Sequence, residues 1–273
     1  MNREFIRQVG PLRWAARTAQ RQFAKRVLKR DSRLRLPTGL MMTLPRASAS
    51  ATEVLLTNAN VDWGAEALFA QFAERGRDAL DIGAHVGYYA LYLAPLVRRV
   101  YAFEPDPRNF EGLERNAVVA GNVEIVRQAV SSRTGRARLA LGTNSSVSSL
   151  GGAGGSAIEV PVTTIDDFLA ARPEIDPALI KTDMEGHDLE GLRGTIRTIG
   201  RFQPLILTEC GGTVELSSFC TALDYSIFSF VRDRATYATA LRRLDALDLE
   251  TLWYKMLFLV PPRLVPAFMA RCS

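Results

Sequence analysis

Five carboxylates in this 273-residue chain sit at or just beyond the end of a short apolar run. Asp81 stands in DALDIG, Glu104 in VYAFEP, Asp183 and Glu185 in LIKTDMEG, and Glu209 in LILTE. Short apolar runs bounded by turn signals read as buried strands, so these acids fall at strand ends. In open α/β sheets that is where ligands bind. Glu104 comes 23 residues after Asp81, the place from which an acid accepts hydrogen bonds from ribose hydroxyls. Between them lies a spaced glycine pair, Gly83 and Gly87. Their missing side chains permit close backbone approach to a ligand and a helix start tight against the sheet.

A nicotinamide dinucleotide asks for G-x-G-x-x-G, which grips a pyrophosphate. Here the pattern is G-x-x-x-G preceded by an acid, which suits a ligand carrying an ammonium group and no phosphate. S-adenosyl-L-methionine meets that demand, with a ribose at one end and an α-amino group and sulfonium at the other. On this reading Asp81 faces the amino-acid part, and Ala84 and His85 form the turn beside it. Glu104 and Pro105 hold the ribose, and Gln128 and Ala129 line the adenine. Asp183 is then the residue beside the methyl group and a candidate base. Glu185 is a second base or a hydrogen-bond acceptor for substrate. His187 is a proton acceptor by its ordinary pKa, or else a helix-capping and packing residue. Glu209 and the Ser/Gly segment containing Asn144, Ser145 and Ser146 are expected on the acceptor side. Asp183, Glu185 and Glu209 could instead gather a divalent cation. The preferred expectation is no metal, with their repulsion relieved by backbone amides or Lys181.

The elements that must position these groups alternate as strand and helix from residue 78 to residue 209. The expected fold is α/β, a Rossmann-like, doubly wound, mostly parallel sheet. YSIFSFV and KMLFLVP are expected to add a C-terminal antiparallel edge hairpin. Upstream, residues 36–57 predict a hairpin around Thr38 and Gly39 followed by a Ser/Ala loop. Asn60 or Asp62 is expected to cap a helix carrying Ala65, Leu68, Phe69 and Phe72. The chain divides into an N-terminal arm, residues 1–35, and one domain, residues 36–273.

The arm carries eleven Lys or Arg against two acids, whereas the remainder holds 23 basic and 27 acidic residues. Phe5, Val9, Leu12, Ala16, Ala19, Phe23 and Val27 recur at helical spacing, with Arg3, Arg7, Arg13, Arg17 and Arg21 on other faces. Gly10-Pro11 divides the helix in two. Either the apolar stripe packs on the domain and leaves the basic face in water, or it lies on anionic headgroups at a membrane surface. No nucleic-acid module is present, and no nucleic-acid partner is expected. Three cysteines without paired spacing fit a reducing compartment. The apolar stretch from Leu252 is broken by Lys255, Pro261, Pro262 and Arg263, too broken to span a bilayer. The expected protein is cytoplasmic, with peripheral membrane contact through residues 1–35 as the open alternative.

The chain resembles the FkbM-type methyltransferases. The blocks that carry the resemblance are DIGAHVGYYAL from Asp81, FEPDPRNFEGLERN from Phe103 and VPVTTIDDF from Val160, then IKTDMEGHDLEGLRG from Ile180 and PLILTE from Pro204. They stand in family order within residues 60–210. The family commonly has Asn where this chain has His85, and often IDVEG in place of TDMEG. The resemblance implies a class I methyltransferase-like sheet and S-adenosyl-L-methionine as cofactor. It also implies O-methylation of a hydroxyl on a small-molecule, sugar or lipid-linked acceptor. Two other readings are a degenerate methyltransferase fold serving as a scaffold and a nucleotide-linked oxidoreductase. The first predicts damaged cofactor positions, yet Asp81, Gly83, Gly87 and Glu104 all stand. The second lacks its third glycine. The oligomeric state is left open.

Overall fold

The computed structural model describes residues 2–142, 148–150, 156–211, 213–244 and 252–272, with side chains from residue 6. Helices α1 (Asn2–Val9) and α2 (Pro11–Arg26) meet at Gly10, whose φ of 85° breaks the helix before Pro11 opens the next. Strands β1 (Ser32–Arg35) and β2 (Met41–Leu44) form the expected antiparallel hairpin, with Gly39 at φ 104° in its turn. The segment expected as a Ser/Ala loop is instead helix α3 (Ser50–Thr57). Ala51, Val54 and Leu55 recur at helical spacing and pack on Met42 and Leu44, while Ser48 Oγ accepts the Ala51 amide at 3.1 Å. Helix α4 (Ala65–Ala70) is entered through Gly64 at φ 103°, not through a side-chain cap by Asn60 or Asp62.

The central layer begins with β3 (Asp78–Ile82), α5 (Tyr88–Leu93), β4 (Val100–Phe103), α6 (Pro107–Ala120) and β5 (Val123–Val126). Local sequence sets α6 sharply. Asp106 accepts the Arg108 amide at its N-cap, Pro107 fills the first turn, and Gly121 takes a left-handed C-cap at φ 77°. The run VEIVRQAVS holds two strands, not one. Its second part, β6 (Ala129–Val130), leaves for a small sheet with β7 (Gly135–Ala140), β8 (Ser149–Leu150) and β9 (Ala157–Thr163). The main sheet resumes through α7 (Ile165–Ala170), β10 (Pro177–Thr182), α8 (Asp188–Arg193), α9 (Ile196–Phe202), β11 (Leu205–Thr208) and α10 (Val214–Ala222). It ends with β12 (Ser226–Asp233), β13 (Thr239–Arg243), β14 (Leu252–Tyr254), β15 (Leu257–Val260) and α11 (Val265–Met269).

The sheet order is β13-β12-β15-β11-β10-β3-β4-β5, with β14 also on β12. Neighbouring strands from β11 to β5 are parallel, and β15 runs antiparallel between β11 and β12. The two late strands do pair, but not as a simple edge hairpin. β15 inserts inside the sheet, and the edge passes to β13, whose mixed sequence TALRR gave no apolar run. Successive residues of a strand face opposite sides, and both sides are covered. Ala79 packs with Phe69, Tyr89 and Phe268 of α4, α5 and α11, whereas Leu80 and Ile82 pack with Phe168, Leu192 and Ile199 of α7, α8 and α9.

Helix α2 packs with inverted polarity. Arg21 is 1 % exposed and donates to the carbonyls of Leu44 (2.9 Å) and Pro45 (2.7 Å) and to Thr52 Oγ1 (3.2 Å). Arg17 donates to the Leu56 carbonyl at 2.9 Å. Leu12, Phe23 and Val27 are 85 %, 54 % and 63 % exposed. The expectation that the apolar stripe packs on the domain is therefore overturned for α2. The domain offers the helix backbone carbonyls with acceptor capacity to spare, and guanidinium groups use it where alkyl groups cannot. Among the described residues no helix is long and apolar enough to cross a membrane.

The fit between β3 and β10 is close enough to test. A Cβ on Gly83 (φ 76°) would collide with the Asp183 carbonyl, whereas a Cβ on Gly121 (φ 77°) meets nothing within 4 Å. Gly121→Ala is expected to cost about 1 kcal/mol, the price of a left-handed alanine. Gly83→Ala must also push the β10 loop aside and is expected to cost more than ~3 kcal/mol. Urea unfolding of both variants measures the difference.

Candidate active site

The carboxyl ends of β3, β4, β10 and β11 open onto one cavity of about 950 Å3. It lies at the switch point, where the order runs from β3 to β4 and β5 on one side and to β10 and β11 on the other. Gly83, Ala84, His85, Glu104, Pro105, Gln128 and Ala129 border it, together with Asp183, Glu185 and Glu209. Asp81, Gly87 and His187 do not border it. Asn144, Ser145 and Ser146 lie outside the described residues.

Two strand-end loops interlock as the floor. Gly83 leaves room for the Asp183 carbonyl, so the space freed by this glycine admits the neighbouring loop, not a ligand. Gly87 does the same for helix packing, since a Cβ there would lie 2.9 Å from Leu113 Cδ1 of α6. His85 and Glu185, each just beyond a strand end, both take the left-handed region, with φ of 52° and 51°. Histidine and asparagine are enriched in that conformation, which accounts for either residue at position 85.

At one end of the cavity stands Glu104, 5 % exposed. Its Oε2 accepts the His85 amide at 2.7 Å, and its Oε1 accepts the Asp106 amide at 2.8 Å and Asn109 Nδ2 at 3.2 Å. Burial pushes the carboxyl up to about 7 against the pull of these donors. Four lone-pair sites against three donors leave acceptor capacity toward the cavity. The His85 ring places Nδ1 3.1 Å from Ser50 Oγ, and burial, assisted by Lys181, pushes the imidazole down to about 4. Asp106 is ion-paired with Arg108 at 2.7 Å and accepts the Ser148 hydroxyl at 2.7 Å. Ser149 Oγ donates to the Glu185 carbonyl at 3.2 Å. The described part of the Ser/Gly segment thus reaches from the Glu104 end toward Glu185.

The other end is organised by Lys181, 3 % exposed. Its Nζ donates to the Gly83 carbonyl at 3.1 Å and lies 3.3 Å from Asp183 Oδ2 and 3.6 Å from Asp81 Oδ1. Burial opposes its charge, but the two carboxylates outweigh burial and raise its pKa. The cation beside Asp81 is therefore this lysine, which corrects the expectation that Asp81 faces a ligand's ammonium group. Asp81 is fully buried, and burial raises its pKa while Lys181 opposes that shift. Asp183 shows 36 % of its side chain to the cavity. Burial acts against its charge, yet Lys181 prevails and holds it below the usual carboxylate range. Glu209 hydrogen-bonds Asp183 and is pushed up to about 10 by burial and by that neighbour's bond and charge. Lys181 thus favours the ionised form of Asp183, and the Asp183 charge favours the protonated form of Glu209. Glu185 is raised by burial and then by Asp183. Among the described residues no group of three or more His, Cys, Asp or Glu is placed to hold a metal ion.

His187 stands apart at the start of α8, its Nε2 2.9 Å from Ser131 Oγ. Neither His187 nor Ser131 is among the residues that border the cavity. Several wall residues had no sequence signal. Asp62 Oδ2 accepts the Tyr89 hydroxyl at 2.7 Å, and burial followed by Glu66 pushes Asp62 up to about 7. Lys255 Nζ donates to Glu53 Oε1 (3.1 Å) and the Val61 carbonyl (3.0 Å). Trp14, Thr18, Arg21 and Gln22 of α2 close this wall. Lys181 did leave a signal, because a charge inside the buried run LIKTD requires partners.

A doubly wound α/β sheet with acids around its switch-point cavity is a Rossmann-like fold. The methyltransferase FkbM domain matches residues 81–235, and the chain belongs to that family. The chain is similar to the hexuronic acid methyltransferase AglP of Haloferax volcanii, 29% identical over 133 residues. That similarity covers 46% of this chain and 53% of AglP, so the chain spans about half the length of this relative. A methyltransferase FkbM from Methylobacillus flagellatus KT superposes with a TM-score of 0.45 and 17% identity, over 77% of this chain and 53% of that one. A precorrin-6y C5,15-methyltransferase from Geobacter metallireducens GS-15 gives 0.41 and 14%, over 72% and 87%.

Glu104 predicts a pH effect on stability. With its folded pKa at about 7 against an ordinary 4.5, the folded state keeps a proton that the unfolded chain releases. Its contribution is complete below about pH 4.5 and is lost as pH rises through about 7, a fall of up to ~3 kcal/mol. Glu104→Gln removes the titration. Urea unfolding should show the variant gaining on wild type between pH 5 and 7 and then holding level.

Proposed function

We propose that this chain transfers a methyl group from S-adenosyl-L-methionine to a hydroxyl of a sugar. One observation carries the reading: the buried Glu104 carboxylate and the Asp183–Glu209 pair face the same cavity from different strand ends. Family membership supports the methyl donor, and the hexuronic acid relative supports a sugar acceptor.

The residues fit the donor. Glu104 has acceptor capacity for ribose hydroxyls, and Gln128 and Ala129 form the adjoining wall for adenine. The bound donor supplies an electrophilic methyl on a sulfonium. Carboxylates along the cavity suit that positive charge. Asp183 remains ionised because Lys181 stabilises it, so it can accept the acceptor hydroxyl's hydrogen bond, orient the oxygen and take its proton as the ether forms. Glu209 donates a hydrogen bond to Asp183, which fixes the direction of that carboxylate. Glu185 stands beside the same opening as a further acceptor for substrate hydroxyls. At the far wall, Trp14 offers an aromatic face, and Asp62 and Lys255 offer polar groups of both signs. That mixture suits a sugar ring better than an apolar acceptor.

Calorimetric titration with S-adenosyl-L-methionine and S-adenosylhomocysteine, followed by labelled-methyl transfer to hexuronic acids and neutral hexoses, tests the reading. Micromolar binding of both nucleosides and label in an alkali-stable ether are expected. Absence of binding by folded protein would sink it. Asp183→Asn should lower kcat by about 10²–10⁴ as a lost base does, with donor binding little changed. Glu209→Gln keeps a donor toward Asp183 and should lower kcat far less than Glu209→Ala.

A further inference from the structure

We infer that the outward face of α2 is a docking surface for a bilayer containing anionic lipid. At 3.6 residues per turn, Leu12, Ala16, Ala19, Phe23 and Val27 fall within an arc of about 80°. All five are exposed, with Leu12, Phe23 and Val27 more than half so. The opposite side of the same helix is held by buried Arg21, by Arg17 and by the Trp14 wall of the cavity. The apolar face therefore cannot turn inward without breaking those hydrogen bonds.

Charge identifies the occupant. Arg13 and Arg26 flank the stripe, and Lys29 and Arg30 follow its carboxyl end, all exposed. No acid occurs between Glu4 and Asp31. An apolar centre rimmed by cations matches the acyl boundary and the anionic headgroups of a lipid leaflet. The rest of the chain, with 27 acidic and 23 basic residues, is repelled by such a surface, so the charge pattern also sets the orientation. A helix so placed lies between the bilayer and the cavity, which brings the Trp14 wall within about one helix diameter, ~10 Å, of the headgroups. The docking itself does not rest on the methyl-transfer reading, and it is measured without substrate.

The test is co-sedimentation of the full chain with vesicles of phosphatidylcholine, with and without one-third phosphatidylglycerol, at low and high salt. Binding is expected on the anionic vesicles only, and weaker in salt. Arg13→Gln and Arg26→Gln should each reduce it about fivefold. The double variant Phe23→Ser, Val27→Ser should abolish it while leaving the thermal unfolding midpoint and S-adenosylhomocysteine binding unchanged. Equal sedimentation of wild type and double variant would overturn the inference. So would absence of vesicle binding together with dimerisation in the ultracentrifuge that the double variant removes, because the stripe would then belong to a second copy of the chain.

Discussion

A primary ammonium group buried in the middle of a sheet is among the most demanding requirements a fold can meet, and Lys181 imposes it here. Removing such a charge from water costs several kcal/mol unless partners replace its hydration. Its partners come from both strands at the switch point: Asp81 and the Gly83 carbonyl from the β3 side, and Asp183 from its own strand end. Satisfying one lysine therefore draws the β3 and β10 loops together. That approach puts the Asp183 carbonyl where a side chain at position 83 would be. The glycine turn, the buried acid and the cavity floor are consequences of one charge requirement.

The same lysine divides the labour among the cavity acids. Asp183 sits next to it and is held below the usual carboxylate range, while burial and the Asp183 charge raise Glu209. Glu104 lies beyond its reach and is governed by burial, opposed by two backbone amides and Asn109. Burial raises both Glu104 and Glu209, and at Glu209 the bond and charge of Asp183 add to it. His85, pushed down to about 4, adds no competing charge near the floor. Its left-handed backbone serves instead to aim the amide that Glu104 accepts.

The N-terminal helices show how a polar face can be the packed face. Arg21 is buried because the β2 end presents carbonyls that a guanidinium satisfies with several donors at once. With that side committed to the domain, the residues a helical wheel would assign to a core are left at the surface. The helix then serves two surroundings, closing the cavity wall through Trp14 and presenting Leu12 and Phe23 outward.

Much of the framework was legible without coordinates, and for local reasons. Apolar runs ending in acids gave β3, β4, β10 and β11. The Gly10-Pro11 pair gave a helix boundary, because both residues act on φ and ψ within a turn. Spacing also brought Glu104, Asp183 and Glu209 to one crevice, since parallel strands in a doubly wound sheet share their carboxyl ends. Tertiary structure decided what each group touches there. It put Lys181 rather than a ligand beside Asp81, tied His187 to Ser131, inserted β15 between β11 and β12, and brought α2 and Asp62 to the cavity wall. Periodicity assigns a residue to a face of its own element, but the partner of that face lies tens to hundreds of residues away. Only the assembled chain determines whether that partner is an alkyl side chain, a carbonyl or water.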